Sequence, residues 1–173
     1  MSTQFDLFTP TEEHRFLRDT LRRFVQDHVE PQAIEHDRLE KFNLALYRRL
    51  ADEVGILGVT VPEEMGGGGM DATAAVICHE ELSTSDPGFC LAYLAHAILY
   101  VNNVAVNASE SQRDRFLPRA LSGEWIGGMG MSEPGAGTDA VGAMSTTATP
   151  EGDDFLLNGS KMWITNGCIN DTE

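Results

Sequence analysis

The texture of this chain changes at Trp125, and that change limits what it can fold into more than any other feature. Before it, apolar residues recur at the three-and-four spacing of amphipathic helices; after it, glycine, serine and threonine become frequent and the apolar spacing shortens towards that of strands. The expected fold class is therefore α+β. An all-helical bundle domain over residues 1–122 should be followed, over residues 123–173, by the first strands of a barrel-like β middle domain. That second part is too short to close a sheet by itself, so a continuation beyond Glu173 is expected.

In the first part, Thr11 followed by Glu12 and Glu13 reads as a helix start, with a hydroxyl cap and acidic residues where the dipole favours them. Leu17, Leu21, Phe24, Val25 and Val29 form one face, and Pro31 is expected to interrupt or kink the helix. A second helix is expected from Asn43 through Val54, ending before Gly55. The run Val61-Pro62-Glu63-Glu64-Met65-Gly66-Gly67-Gly68-Gly69 reads as a flexible connection, since it lacks the Gly-Lys-Ser/Thr ending of a phosphate loop. Asp71 should cap a third helix with Ala72, Ala75, Val76, His79 and Leu82 along its buried side. His79 beside Glu80 and Glu81 lacks the second histidine of a zinc motif, which leaves it a structural role. The segment Phe89–Val106, entered through Pro87, is apolar nearly all round and belongs in the middle of a bundle, where His96, Asn102 and Asn103 are its polar interruptions. A shorter helix is expected from Ser111 to Leu121, with Phe116, Leu117 and Leu121 inward.

In the second part, strands are expected at Ile126–Met131, Ala143–Ala148, Phe155–Leu157 and Lys161–Thr165. Turns fall at Pro150-Glu151-Gly152 and at Asn158-Gly159, the latter a two-residue hairpin signal.

Charge and cysteine content narrow the function classes. A net charge of -15 with only 12 lysines and arginines argues against nucleic acid, whose phosphates need a concentrated basic face. Cys78, Cys90 and Cys168 are odd in number and widely spaced, against both a disulfide framework and a zinc site. The Phe89–Val106 segment, about 18 residues long, is of marginal length for a membrane span, but its polar interruptions and amphipathic neighbours favour a protein interior, and the first residues resemble neither a secretory signal nor a transit peptide. A cytoplasmic protein is expected, in which the glycosylation triplets at Asn107, Asn158 and Asn170 carry no meaning, and no metal site is expected.

The chemistry is concentrated between Ile126 and Gly167. Glu133-Pro134-Gly135-Ala136-Gly137-Thr138-Asp139-Ala140 satisfies the letters of a dinucleotide fingerprint, but the following residues are strand-like where that motif needs a helix, so a nicotinamide fold is rejected. What survives is a Pro-Gly turn exposing backbone amides, flanked by the Ser132 and Thr138 hydroxyls, groups that bind phosphate or carbonyl oxygens without net charge; an ordinary glycine-rich turn reads equally well. Downstream, Trp163 stands beside Thr165 before a glycine turn. Stacking on a planar ring and plain core packing are both uses for such an indole.

Taken together, the runs GMSEPGAGTD and LNGSKMWITNG after a helical part resemble the N-terminal half of the acyl-CoA dehydrogenases, with support from VPEEMGGGGMD and from the stretch Leu91–Gly128. Within that family the chain is most similar to the isovaleryl-CoA and short branched-chain branch. The resemblance implies a three-domain plan: the helical domain, the β domain, and a C-terminal four-helix domain that this chain lacks. It implies FAD as cofactor, an acyl-CoA substrate, an electron-transfer flavoprotein as electron acceptor, and a homo-oligomer, tetramer or dimer, or a complementary C-terminal chain. It also implies oxidation of the thioester to the 2,3-enoyl-CoA, with a glutamate taking the α proton while the β hydride passes to flavin N5.

By the same resemblance, Met129, Gly130, Met131, Ser132, Gly137 and Thr138 line the flavin, Ser132 at its pyrimidine side. Thr138 also contacts the CoA moiety. Trp163, Ile164 and Thr165 form the second flavin segment, the indole near the ring and the threonine by N5, where such contacts tune the cofactor. The helix around Leu94 to Leu99 walls the acyl pocket. The base is expected beyond Glu173, and Glu133 is expected to be structural. A flavin oxidase, desulfinase or hydroxylase on the same fold, or a non-catalytic subunit acting by association, remain alternatives.

Overall fold

A computed structural model describes residues 8–169; Asn170 and Glu173 lie outside them. Helix α1 spans Glu12–Phe24 and is capped by the Thr11 hydroxyl, which accepts from the His14 amide at 3.3 Å. Pro31 does not stop it. A five-residue π-helical turn, Val25–Val29, carries the chain into α2, Glu30–Arg38, with Pro31 inside the first turn of α2, where a missing N–H costs least. Helix α3 covers Leu44–Arg49 under an Asn43 cap and widens into a second π turn, Leu50–Val54, closed by Gly55 in the left-handed region at φ 74°.

The glycine run departs from the flexible connection read from sequence. After a 3-10 turn at Glu63–Met65, the amides of Gly68, Gly69 and Met70 return to the carbonyls of Gly58, Val61 and Val59 at 2.9, 2.8 and 2.9 Å. A Cβ at Gly67 would overlap the Val61 backbone. The glycines are there because two stretches of backbone lie against each other, not because the link is loose.

Helix α4, Ala72–Ser83, is capped by Asp71 as expected, but it turns a different face inward. Ala74, Ile77, Cys78 and Leu82 are buried, together with Glu81, while Val76 is exposed. The buried carboxylate sets that rotation. Glu81 lies against α1, where it accepts from Arg18 at 2.6 Å and from Arg22 at 2.9 and 3.1 Å, so its charge is paired. His14 adds a second tie, joining the caps of both helices: its ring nitrogens meet Thr11 Oγ1 at 2.7 Å and Asp71 Oδ1 at 2.8 Å.

The central helix enters through α5, Pro87–Tyr93, capped by Asp86, continues as a nine-residue π-helical stretch, Leu94–Asn102, and ends in α6, Asn103–Asn107. This 21-residue stretch is long and apolar enough to cross a membrane, yet half of its most apolar window is buried inside the fold. Tyr93 and Ala97 pack in one core with Leu21, Leu50, Leu57 and Ile77, which Ile126 of the following segment joins, while Val101 belongs to a second cluster with Val61, Ala105, Leu117 and Ala120. Helix α7, Glu110–Leu121, carries a capping box between Ser109 and Gln112 and buries Leu117 and Ala120; Phe116 and Leu121 are half-buried.

Among the described residues beyond Trp125 the strand structure is a single antiparallel hairpin, β1 Thr147–Glu151 and β2 Asp154–Asn158, with Gly152 at φ 64° in its turn. The expected strands at Ile126–Met131 and Lys161–Thr165 are irregular, and the strand expected from Ala143 begins at Thr147. Asn158-Gly159 is not a hairpin turn either, for Asn158 pairs with Thr147 at the open end of the ladder. A strand exists only with a partner along its hydrogen-bonding edge, and these segments lack a regular ladder among the described residues.

Candidate functional site

The two motif runs lie side by side. The Ser132 carbonyl accepts from the Met162 amide at 3.0 Å. A Cβ on Gly130 would stand 3.5 Å from Ile164 and 3.6 Å from Lys161, and one on Gly128 would collide with the Thr165 carbonyl. Residues 128 to 132 thus run antiparallel to residues 165 to 161, and the absence of a side chain at Gly128 permits the approach, whereas Gly130 has room for one. Met129, Gly130, Met131 and Ser132 are brought together with Trp163, Ile164 and Thr165.

Trp163 is the conspicuous member. Its backbone is left-handed at φ 56°, which is uncommon outside glycine, and 80% of the residue is exposed. Met131 and Ile164 are exposed beside it in the chain order of the two runs. A large ring held outward in that conformation is not part of the core of this chain. Gly137 and Thr138 lie past the Pro134–Gly135 turn, exposed, beyond the residues 128–132 that run beside the second segment. A cleft of about 530 Å³ opens behind the second run, lined by Phe42, Leu44, Ile164, Asn166, Cys168 and Ile169.

Glu133 is the buried carboxylate of the region, 4% exposed. Lys161 Nζ donates to Oε1 at 2.8 Å, as does the Thr146 amide at 2.9 Å; the Ser145 amide and hydroxyl donate to Oε2 at 2.8 and 2.6 Å. Lys161 above all, then these donors, hold its carboxyl well below the ordinary range. Such a carboxylate is a weak base with its oxygens occupied, so it latches the turn to the hairpin and is unsuited to taking a proton from carbon. The same lysine reaches the Met131 carbonyl at 3.1 Å, which leaves the wall between the runs neutral.

Two further residues seat this region on the helices. His96, 0% exposed, stands on the central helix, and Asn166, with φ 69°, follows the second run; both meet Gly127, as detailed below. From sequence His96 reads only as a polar interruption, and Asn166, although it stands next after residues 161–165 inside the LNGSKMWITNG run, carries no assigned role. Their partners are 31 and 39 residues away, beyond any local spacing signal.

A helical domain is followed by a short antiparallel hairpin and by two runs that lie side by side with an exposed tryptophan, and the comparisons with known proteins specify the family. Residues 11–124 match the model of the acyl-CoA dehydrogenase N-terminal domain and residues 128–172 that of the middle domain. The chain belongs to the acyl-CoA dehydrogenase family. It is 41% identical over 158 residues to the mitochondrial isovaleryl-CoA dehydrogenase of Pongo abelii, covering 91% of this chain and 37% of that protein. The chain therefore spans little more than a third of the length of such a relative. Among solved structures, an acyl-CoA dehydrogenase complexed with FAD from Bacillus anthracis matches with a TM-score of 0.82 at 31% identity, over 91% of this chain and 27% of that one. A chain solved in work on the electron transferring flavoprotein of Acidaminococcus fermentans matches with a TM-score of 0.87 at 34% identity, over 95% and 42%.

Proposed function

We propose that this chain supplies the helical domain, residues 1–122, and the opening of the middle domain, residues 123–173, of an FAD-dependent acyl-CoA dehydrogenase for short or branched acyl groups. The observation that carries the reading is the antiparallel placement of residues 128–132 and 161–165 with Trp163 turned outward. In this reading Met129, Gly130, Met131, Ser132 and Gly137 offer amides and a hydroxyl to one edge of FAD. Trp163 and Ile164 offer an apolar surface, and the Thr165 hydroxyl serves the redox end. Thr138 faces the CoA moiety.

When bound, FAD supplies the hydride acceptor for oxidation of the acyl thioester. The residues of this chain bind and orient. Their neutral donor set can stabilise developing negative charge on the ligand without a fixed cation, because Lys161 is already engaged by Glu133. No residue here is assigned as base. The helical stretch Leu94–Asn102 walls the acyl side, and an electron-transfer flavoprotein receives the electrons. A homo-oligomer is the proposed assembly, in a reducing compartment such as the cytoplasm, which three free thiols suit.

The test is anaerobic addition of isovaleryl-CoA and butyryl-CoA to the chain combined with FAD and a second polypeptide that supplies the rest of the middle domain and the family's C-terminal helical domain. Loss of the oxidised flavin absorbance is expected with isovaleryl-CoA first. An unchanged spectrum with every acyl-CoA, from a complex that does hold FAD, sinks the assigned reaction.

A further inference from the structure

Gly127 is the point at which the helical domain and both motif runs meet. Its amide donates to His96 Nδ1 at 2.9 Å, and its carbonyl accepts from Asn166 Nδ2 at 3.0 Å. Both ends of one residue are thus held, one by the central helix and the other by the loop after the second run. Space around it is closed: a Cβ at Gly127 would overlap the Tyr100 ring, and one at Gly128 the Thr165 carbonyl.

The two clamping side chains are themselves anchored. His96 Nε2 meets the Ala120 carbonyl of α7 at 3.0 Å. That oxygen can only accept and the Gly127 amide can only donate, so the ring is neutral with its proton on Nε2. Asn166 donates a second bond to the Ala92 carbonyl, at 2.9 Å. Ala92 sits in the turn just before the π-helical stretch, and the Tyr47 hydroxyl reaches the same carbonyl at 3.4 Å. One side-chain amide therefore joins helix, first run and second run.

We propose that His96 and Asn166 are positioning residues which, through Gly127, set the distance between the two runs and seat them together on the central helix. The proposal rests on the reading of these runs as one cofactor wall, and it adds the pair of residues outside the motif contacts that fix the wall's shape. Sites of this kind are held to within about half an ångström by a supporting layer of packing and hydrogen bonds. His96 acts on the first run directly and on the second by way of Gly127 and Asn166, alongside the direct contacts of Ser132 with Met162 and of Gly128 with Thr165.

That chain of contacts predicts coupling that a merely structural core histidine would not show. The test uses the full 173-residue chain, labelled with nitrogen-15, first without FAD. His96→Asn retains an acceptor for the Gly127 amide only if the backbone moves, and is expected to shift the amide signals of residues 127 to 129 and also those of 163 to 165. Asn166→Gly removes both bonds while suiting the positive φ, and is expected to shift the same two groups. In the Asn166→Gly background, His96→Asn should move residues 163 to 165 clearly less, the remaining route being the direct contacts between the runs. If His96→Asn lowers the melting temperature but leaves residues 163 to 165 in place, or moves them equally with and without Asn166, the clamp is wrong. Should His96→Asn fail to fold, Asn166→Gly alone decides: unmoved signals at Gly127 and Gly128 overturn the proposal. FAD is then added to the unsubstituted chain. Coupling intact with no response to FAD would leave the clamp standing and refute the cofactor reading; FAD binding with no coupling would do the reverse.

Discussion

The helical region and the segment after Trp125 are held together by different physics. In the first, Leu21, Leu50, Leu57, Ile77, Tyr93 and Ala97 close a continuous apolar core, and the buried carboxylate of Glu81 is paired with two arginines. In the second, both faces of the hairpin are exposed, Phe155, Leu156 and Leu157 included. Its shape rests on discrete polar contacts: Glu133 with Lys161, Ser145 and Thr146, and Gly127 with His96 and Asn166. Apolar burial there is confined to anchors such as Ile126. A core tolerates the loss of one contact by redistribution, whereas a seat of a few directional bonds fails one bond at a time.

The sharpest way to break this contrast is to damage the core. Leu21→Ala is expected to cost about 2–5 kcal/mol, the range for a leucine deleted from a closed interior, read from urea unfolding followed by circular dichroism. A cost under 1 kcal/mol would mean the helical core is not close-packed there.

Acid probes the joint between the regions. Burial lowers the His96 pKa from 6.5 to about 4, so the folded chain refuses a proton that the unfolded chain accepts. Stability contributed by the neutral ring is intact above 6.5, declines as the pH falls from there, and is lost by about 4, a span worth up to roughly 3 kcal/mol by linkage. The titratable rings facing His96 are Tyr47 on α3 and Tyr100 on its own helix, both held neutral by burial, so they add no charge in that window. Melting temperatures measured across it should fall less steeply in His96→Asn.

Gly127→Ala presses a methyl group into Tyr100 and is expected to cost about 1–3 kcal/mol in the same unfolding measurement, as overpacked sites do.

Glu133→Gln should act locally. Its carboxylate lies below its usual 4.5, so the latch is complete at neutral pH and weakens only as the pH drops below that value. Faster amide exchange at Ser145 and Thr146, with the helices unchanged, is the expected result.

The smallest effect belongs to the exposed hairpin, where Phe155→Ser should stay within about 0.5 kcal/mol. A larger cost would show that something covers that face.

What could be read from sequence follows the same divide. Thr11, Asn43, Asp71 and Pro87 act within three or four residues of themselves, and each starts a helix where its chemistry says it should. The Gly66–Gly69 run misled because glycine serves a close backbone approach as well as it serves flexibility, and only the partner strand of chain at Gly58–Val61 tells the two apart. The inward face of α4 was hidden because its rotation is decided by Arg18 and Arg22 on another helix. In the site, the two motif runs were legible as a pair. His96 and Asn166 were not, since neither carries a signal until the fold brings Gly127 between them.

The central claim is that residues 129–132 and 163–165 form one surface that takes a flavin. Titration of FAD into the labelled full chain tests it most directly. The account predicts that the amides of both runs and the Trp163 indole move together, along one binding curve, while the core helices stay still. Movement of one run alone, or of neither at FAD concentrations that saturate the flavin signal, would contradict it.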